Sequence, residues 1–209
     1  MEKSPVHLVR RETGEAVEAE LWDDIADEHV ELWRAHWKPQ MDDVRQRMIR
    51  DKVPRSDWPQ DFHWDWEKKT SWSRELLSFS RFALTCERKL QGLMLLNLTK
   101  IQVTGRAPSQ KGKDLLYVEF LSTAPWNRPG FIKQPVFRGV GLNLMYSAVA
   151  VSRAEGFRGR VALHALRQAA EFYRDACGMT DFGPDATHDN LIYFEMTEAQ
   201  AKAFQSRIK

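Results

Sequence analysis

The spacing of apolar positions changes near residue 78, dividing a helical front from a back in which strands and helices alternate. "VHLVRRETGEAVEAEL" alternates around Gly14 and predicts two short strands. In "IADEHVELWRAHW" the residues Ile25, His29, Leu32, Trp33, His36 and Trp37 fall on one side of a helix, with Asp23 or Asp24 as its cap. Lys38-Pro39 is expected to end it. Met41, Val44, Met48 and Ile49 repeat at helical spacing and predict a second helix, "PRSDWPQ" a loop, and "DFHWDWEKKTSWSREL" a short helix or ordered loop. From Ser80 the texture becomes that of a sheet. "RFALTCE" and "QGLMLLNLTKIQV" predict a hairpin turning at Arg88 to Leu90. "LLYVEFLST" is apolar on both faces, as a strand covered on two sides must be. A helix to about Glu155 with Gly156 as its stop, a strand "RVALHAL", a helix "RQAAEFYRDAC" stopped at Gly178, and a strand "NLIYFEM" follow. Thr197 and Gln200 then form a capping box that opens a last helix.

Charge adds to this division. The net charge is only +2, but residues 1–78 hold 13 Lys and Arg against 18 Asp and Glu, whereas residues 79–209 hold 18 against 11. The back is therefore the better seat for an anionic ligand. Seven of the eight tryptophans lie in the front. No apolar run approaches the roughly 20 residues of a membrane span, and the start has no apolar leader segment, so a cytoplasmic protein without membrane contact is expected. The two cysteines, Cys86 and Cys177, lack CxxC spacing and read as buried apolar residues. His29, His36 and His63, with Asp61 and Asp65, meet no ligand spacing, and no metal is expected.

The chemistry centres on "VFRGVGLNLM", where Gly139 and Gly141 stand at a helix start. Glycines let an anion approach the backbone, and first-turn N–H groups point at it. No lysine followed by Ser or Thr stands where a nucleoside-triphosphate loop needs one, and Leu144 replaces the third glycine of a dinucleotide fingerprint. Four segments, "LLYVEFLSTAP", "RGVGLNLM", "RVALHAL" and "AAEFYRDACGM", stand in an order that resembles the GNAT superfamily of acetyl-CoA-dependent N-acyltransferases. The resemblance covers roughly Arg81 to Met196. It departs from the family at Val136, where a Gln or Arg is usual, and Arg138 is its substitute.

The resemblance implies an α/β fold with a mixed, mostly antiparallel central sheet flanked by helices. It implies one domain over 1–209, in which residues 1–78 form a Trp-rich acceptor side, 79–196 an acyl-CoA-binding core and 197–209 a C-terminal helix. It implies an acetyl group passing from acetyl-CoA, as co-substrate, to a primary amine. Main-chain groups of Leu121, Ser122 and Thr123 would hold the pantetheine arm, and Arg138, Gly139, Val140, Gly141 and Leu142 the pyrophosphate. Tyr173 matches the tyrosine that protonates the leaving thiolate. Glu119, a carboxylate inside the most apolar strand, is the candidate base, since desolvation favours its proton-bound form. Trp64, Trp66, Asn127 and His164 are acceptor-side candidates, the tryptophans because aromatic faces hold cationic amines. The acidic front suits a basic acceptor better than nucleic acid, although tRNA remains open as an acceptor, and a homodimer is compatible with the sequence. The alternative is a non-catalytic module of the same fold that binds acyl-CoA or a protein.

Overall fold

The computed structural model describes residues 1–99 and 104–207, so the part of the second hairpin strand expected over 100–103 lies outside the described residues, as do the last two positions of the C-terminal helix. Among the described residues nine strands form one mixed sheet in the order β6-β1-β2-β3-β4-β5-β7-β9-β8. They are β1 (Lys3–Arg10), β2 (Ala16–Trp22), β3 (Phe79–Cys86), β4 (Lys89–Asn97), β5 (Leu116–Thr123), β6 (Phe137–Arg138), β7 (Val161–Ala165), β8 (Thr180–Asp185) and β9 (Leu191–Met196). β1–β2, β1–β6, β2–β3, β7–β9 and β8–β9 pair antiparallel, and β5–β7 pair parallel. The fold is thus the α/β arrangement expected.

The chain forms two compact units. The first comprises Met1–Leu77, Arg81–Met94 and Leu121–Gly141; the second comprises Ser78–Ser80, Leu95–Phe120 and the chain from Leu142 onward.

In the first unit, β1 and β2 make the expected hairpin, with Gly14 at φ 76° closing the turn, and β6 pairs Arg138 and Phe137 with Val9 and Arg10. The expected first helix is α1 (Asp27–Leu32), and its cap differs from expectation. Ala26 holds the cap position, with its N–H donating to His29 Nδ1 at 3.0 Å. Asp24 instead accepts from Ile25 N and from Arg81 Nε, which takes it away from the helix start. Nor does the helix stop at Pro39. A π-helical turn, Trp33–Trp37, leads directly into α2 (Lys38–Arg50). Its five-residue hydrogen bond, Lys38 N–H to Trp33 O, widens the backbone where a proline ring would otherwise meet the carbonyl of the preceding turn. Trp33 and Trp37 are buried, and Trp37 Nε1 donates to Leu90 O at 2.9 Å. The stretch after the loop forms α3 (Trp66–Arg74), whose cap Asp65 accepts from Lys68 N. The β3–β4 turn falls at Glu87 and Arg88, one residue earlier than expected, with φ of 50° and 58°. Two successive left-handed residues match the twist of paired strands.

In the second unit, α4 (Val140–Ala154) ends before Gly156 at φ 80°, and α5 (Glu198–Ser206) opens on the expected capping box. Tyr146 stacks on Phe204 with ring centres 4.3 Å apart, and Gly159 is glycine for space as well as conformation. A Cβ there would lie 2.9 Å from that of Ala201. The helix expected over "RQAAEFYRDAC" is a 3-10 turn, Arg167–Ala169, followed by a second π-helical turn, Phe172–Ala176. Strand β8 was not legible because "TDFGPD" contains Gly183 and Pro184. The pairing with β9 shifts register there, and the strand lies at the end of the sheet order, where a missing donor is tolerated. Cys86 and Cys177 are free and buried. Among the described residues no helix is long and apolar enough to cross a membrane.

Candidate functional site

The most apolar strand does not stay with its neighbour. β5 pairs with β7 at only three positions, Leu116 to Val118 against Val161 to Leu163, although both strands continue beyond them. Glu119 and Phe120 lie past the last pair on one strand, His164 and Ala165 on the other. Leu121 and Thr123, further along β5, are half-buried and Ser122 is buried. Glu119 is half-buried, not enclosed, and accepts from Asn97 Nδ2 at 3.2 Å.

Tyr173 sits in the second π-helical turn, which Cys177 closes by donating from its N–H to Phe172 O at 3.0 Å. Its ring lies against Phe172 and Phe194. Burial pushes the phenol well above its ordinary value, with the Cys177 thiol adding a smaller push. The hydroxyl therefore holds its proton near neutral pH, the state a proton donor needs.

The glycine loop has two different glycines. Gly139 adopts φ 98°, a conformation that side chains disfavour, and it separates β6 from the first residue of α4. Gly141 lies within the helix and needs no special conformation. Val140, Gly141 and Leu142 form the first turn, whose N–H groups have no acceptor within the helix. Arg138 is exposed at the rim.

In the first unit a cavity of about 240 Å³ is lined by Trp33, Asp42, Arg45, Trp64, Trp66, Ser122 and Thr123, among others. It brings the acceptor-side tryptophans together with two residues expected to serve the coenzyme. Arg128 and Asp61, also in its wall, form a two-pronged ion pair at 2.7 and 2.8 Å, and the guanidinium lies over Phe131. Asn127 is engaged elsewhere. Its amide donates to Gln91 Oε1 at 2.9 Å and accepts from Phe137 N at 3.0 Å, so it holds the loop that carries it.

His164, expected on the acceptor side, belongs to a buried polar cluster of the second unit that sequence reasoning did not assemble. Its Nδ1 is 2.6 Å from the Tyr117 hydroxyl and its Nε2 is 3.1 Å from Asp185 Oδ2. Asp185 also accepts from Thr187 N at 2.9 Å, from Thr187 Oγ1 at 2.6 Å and from the Arg106 guanidinium. These donors hold the carboxyl well below its ordinary range. Burial lowers the His164 pKa, and the bond to Asp185 opposes that. Beside this cluster Glu195, fully buried, accepts from the backbone N–H of Arg106 and Ala107, from Gln110 Nε2 and from Tyr193 O–H. Glu195 was open to the argument that picked Glu119, since "LIYFEM" is also an apolar strand with one carboxylate. Arg106, Thr187 and Asp185 come from loops and a strand end, and no spacing announces them.

Among the described residues, one group places a possible metal ligand atom from each member within 4.8 Å of the others, namely His164, Asp185 and His188. The His164 and His188 rings are stacked face to face at 3.9 Å, which aims their in-plane lone pairs alongside each other. With Arg106 and Thr187 already on the carboxylate, the group reads as a hydrogen-bonded array.

No family model and no curated protein matches the sequence. Solved structures do match in shape. The GNAT domain of PAT from S. lividans aligns with a TM-score of 0.54 at 16% identity, covering 92% of this chain and 96% of that one. A GNAT-family acetyltransferase, so described provisionally, from Desulfovibrio desulfuricans aligns at 0.52 and 10% identity over 86% and 99%. An uncharacterized protein from Bacillus halodurans aligns at 0.50 and 10% identity over 97% and 95%. With its mixed sheet flanked by helices and these alignments, the chain has the fold of the GNAT acetyltransferases.

Proposed function

We propose that the protein is an N-acyltransferase that moves an acetyl group from acetyl-CoA to a primary amine. The observation that carries this reading is the early end of the β5–β7 pairing, which leaves room beside a strand edge for an extended ligand to pair with main chain. In this reading Leu121, Ser122 and Thr123 take the pantetheine arm. Gly139, Val140, Gly141 and Leu142, with Arg138, take the pyrophosphate. Trp64 and Trp66 receive the acceptor in the cavity they line. An ammonium must lose a proton before it attacks a thioester, and Glu119 is the group assigned to accept it. The free amine adds to the carbonyl carbon. The tetrahedral intermediate then expels the thiolate, Tyr173 supplies the proton that completes coenzyme A, and the second proton, shed by the nitrogen as it becomes an amide, restores the phenol.

Calorimetric titration with acetyl-CoA, on wild type and on Gly141→Asp, tests the binding half. Binding that disappears in the variant is expected, and no binding to wild type overturns the reading. Steady-state turnover of a panel of primary amines tests the chemistry. Tyr173→Phe should lower kcat by at least tenfold with little change in KM for acetyl-CoA. Tight binding with no turnover of any amine would leave an acyl-CoA-binding module of the same fold.

A further inference from the structure

Tyr117, His164 and Asp185 come from three strands of the second unit. On β5, Tyr117 stands in register with Ala162 of β7, two residues before His164, so phenol and imidazole share one face of the sheet. Asp185 is the last residue of β8. Three donor bonds, from Arg106, Thr187 N and Thr187 Oγ1, fall on its carboxylate and hold it ionised, so that it can only accept. It follows that His164 Nε2 carries the hydrogen and donates it to Asp185. In a neutral imidazole this leaves the lone pair on Nδ1, and Tyr117 O–H donates to it at 2.6 Å. The groups facing His164 are Asp185, Tyr117, the stacked His188 ring, Tyr193 and the Arg106 guanidinium. Burial and the charges of His188 and Arg106 favour the neutral ring, while Asp185 keeps the imidazolium within reach. A histidine satisfied at both nitrogens would serve equally as core. What distinguishes this one is its phenol partner, two residues from Glu119 on the same face of β5 and within range of that carboxylate's charge.

We propose that Asp185, His164 and Tyr117 form a proton relay behind Glu119, which drains the proton that the acceptor amine gives up. The proposal rests on the acyltransferase reading. Glu119 takes one proton from the ammonium. It passes that proton to the Tyr117 oxygen while the phenol passes its own to His164 Nδ1. The carboxylate and the phenol are restored, and the imidazolium is held by Asp185. One proton has moved, and no bond between heavier atoms has changed. After product leaves, the same path runs in reverse and the proton goes to water. None of the three touches the acceptor, so they are positioning residues acting through Glu119.

The array is tested first without any acceptor, by nitrogen NMR of histidine-labelled full-length protein at pH 7, with His164→Gln assigning the signal. A neutral ring with its hydrogen on Nε2 is expected; an imidazolium or a hydrogen on Nδ1 overturns the relay. Steady-state kinetics with acetyl-CoA then compare benzylamine, which arrives as an ammonium, with hydroxylamine, which arrives neutral. Tyr117→Phe should lower kcat with benzylamine about a hundredfold and leave KM for acetyl-CoA within about twofold. With hydroxylamine the deficit should shrink at least tenfold. Asp185→Asn, checked for folding by circular dichroism, should move the acid limb of the kcat/KM profile to lower pH, because the imidazolium loses its counter-charge. Equal deficits with both amines, or an unmoved acid limb, overturn the relay. Should wild type neither bind acetyl-CoA nor turn over any amine of a broad panel, the acyltransferase reading fails and the relay's role goes with it. Wild-type turnover with unaltered Tyr117→Phe kinetics overturns the relay alone.

Discussion

Gln91 and Asp185 are both buried, and each gathers several hydrogen bonds, yet the two collections differ in kind. Around Gln91, in the first unit, every partner is neutral. Its Oε1 accepts from Trp126 Nε1 and Asn127 Nδ2, and its Nε2 donates to Cys86 O and Lys89 O. None of these groups changes charge near neutral pH, so the cluster can only hold shape. Around Asp185, in the second unit, stand two histidines and an arginine, and one of those histidines is the buried end of the proposed proton path. A buried polar cluster is therefore classed by whether its members can titrate where the protein works. Density of hydrogen bonds does not distinguish the two.

The largest test of that contrast is Glu195→Ala. It strips the acceptor from four donors beside the titratable cluster, and urea unfolding should show a loss of about 4 kcal/mol. Next is Arg128→Ala in the first unit, which leaves the buried Asp61 without its guanidinium. About 3 kcal/mol is expected by the same measurement, with no fixed relation to the His164 signal. A smaller effect sharpens the comparison most. Burial holds His164 below its ordinary 6.5, so as pH falls the unfolded chain takes up that proton before the folded one. Stability should begin to drop below about pH 6.5, with Asp185, also lowered, adding a loss of the same sign further into acid. His29 is lowered by burial too and contributes in the same direction. The slope of unfolding free energy between pH 7.5 and 5.5 should thus flatten, without vanishing, in His164→Gln and stay unchanged in Gln91→Leu. A Gln91 variant that altered the slope would break the contrast. The smallest effect sets the baseline: Lys3→Ala, in an exposed pair with Glu20, should change stability by no more than about 0.5 kcal/mol.

Much of the architecture was legible because period and punctuation agreed. The apolar run "LLYVEFLST", Gly156 and Gly178 as stops and the Thr197–Gln200 box each name a local structure by local chemistry, and each was found where expected. Gly139 was legible for the same reason. What escaped depended on partners distant in sequence. Asp24 looks like a helix cap until Arg81, 57 residues away, takes it. Asn127 looks available until Gln91 and Phe137 occupy its amide. Tyr117 reads as one more aromatic in a strand, and only the register with β7 places its hydroxyl on His164. The half of the proposed site assigned to the coenzyme, being main chain and glycine, can be read along the sequence. Its proton-handling half cannot, since it is assembled across strands.

The turn at Trp33–Trp37 carries one residue more than an α-helical turn, and its looser winding absorbs that residue, so α2 keeps the rotational phase of an unbroken helix. Deleting the exposed Ala35 would return the turn to ordinary winding with the phase of α2 nearly kept. Met41, Asp42 and Arg45 would therefore stay in the cavity wall with Trp33. The wide turn is thus a place where the chain can change length by one residue without changing which side chains line that wall, whereas a deletion within α2 itself would turn every later residue by about 100°.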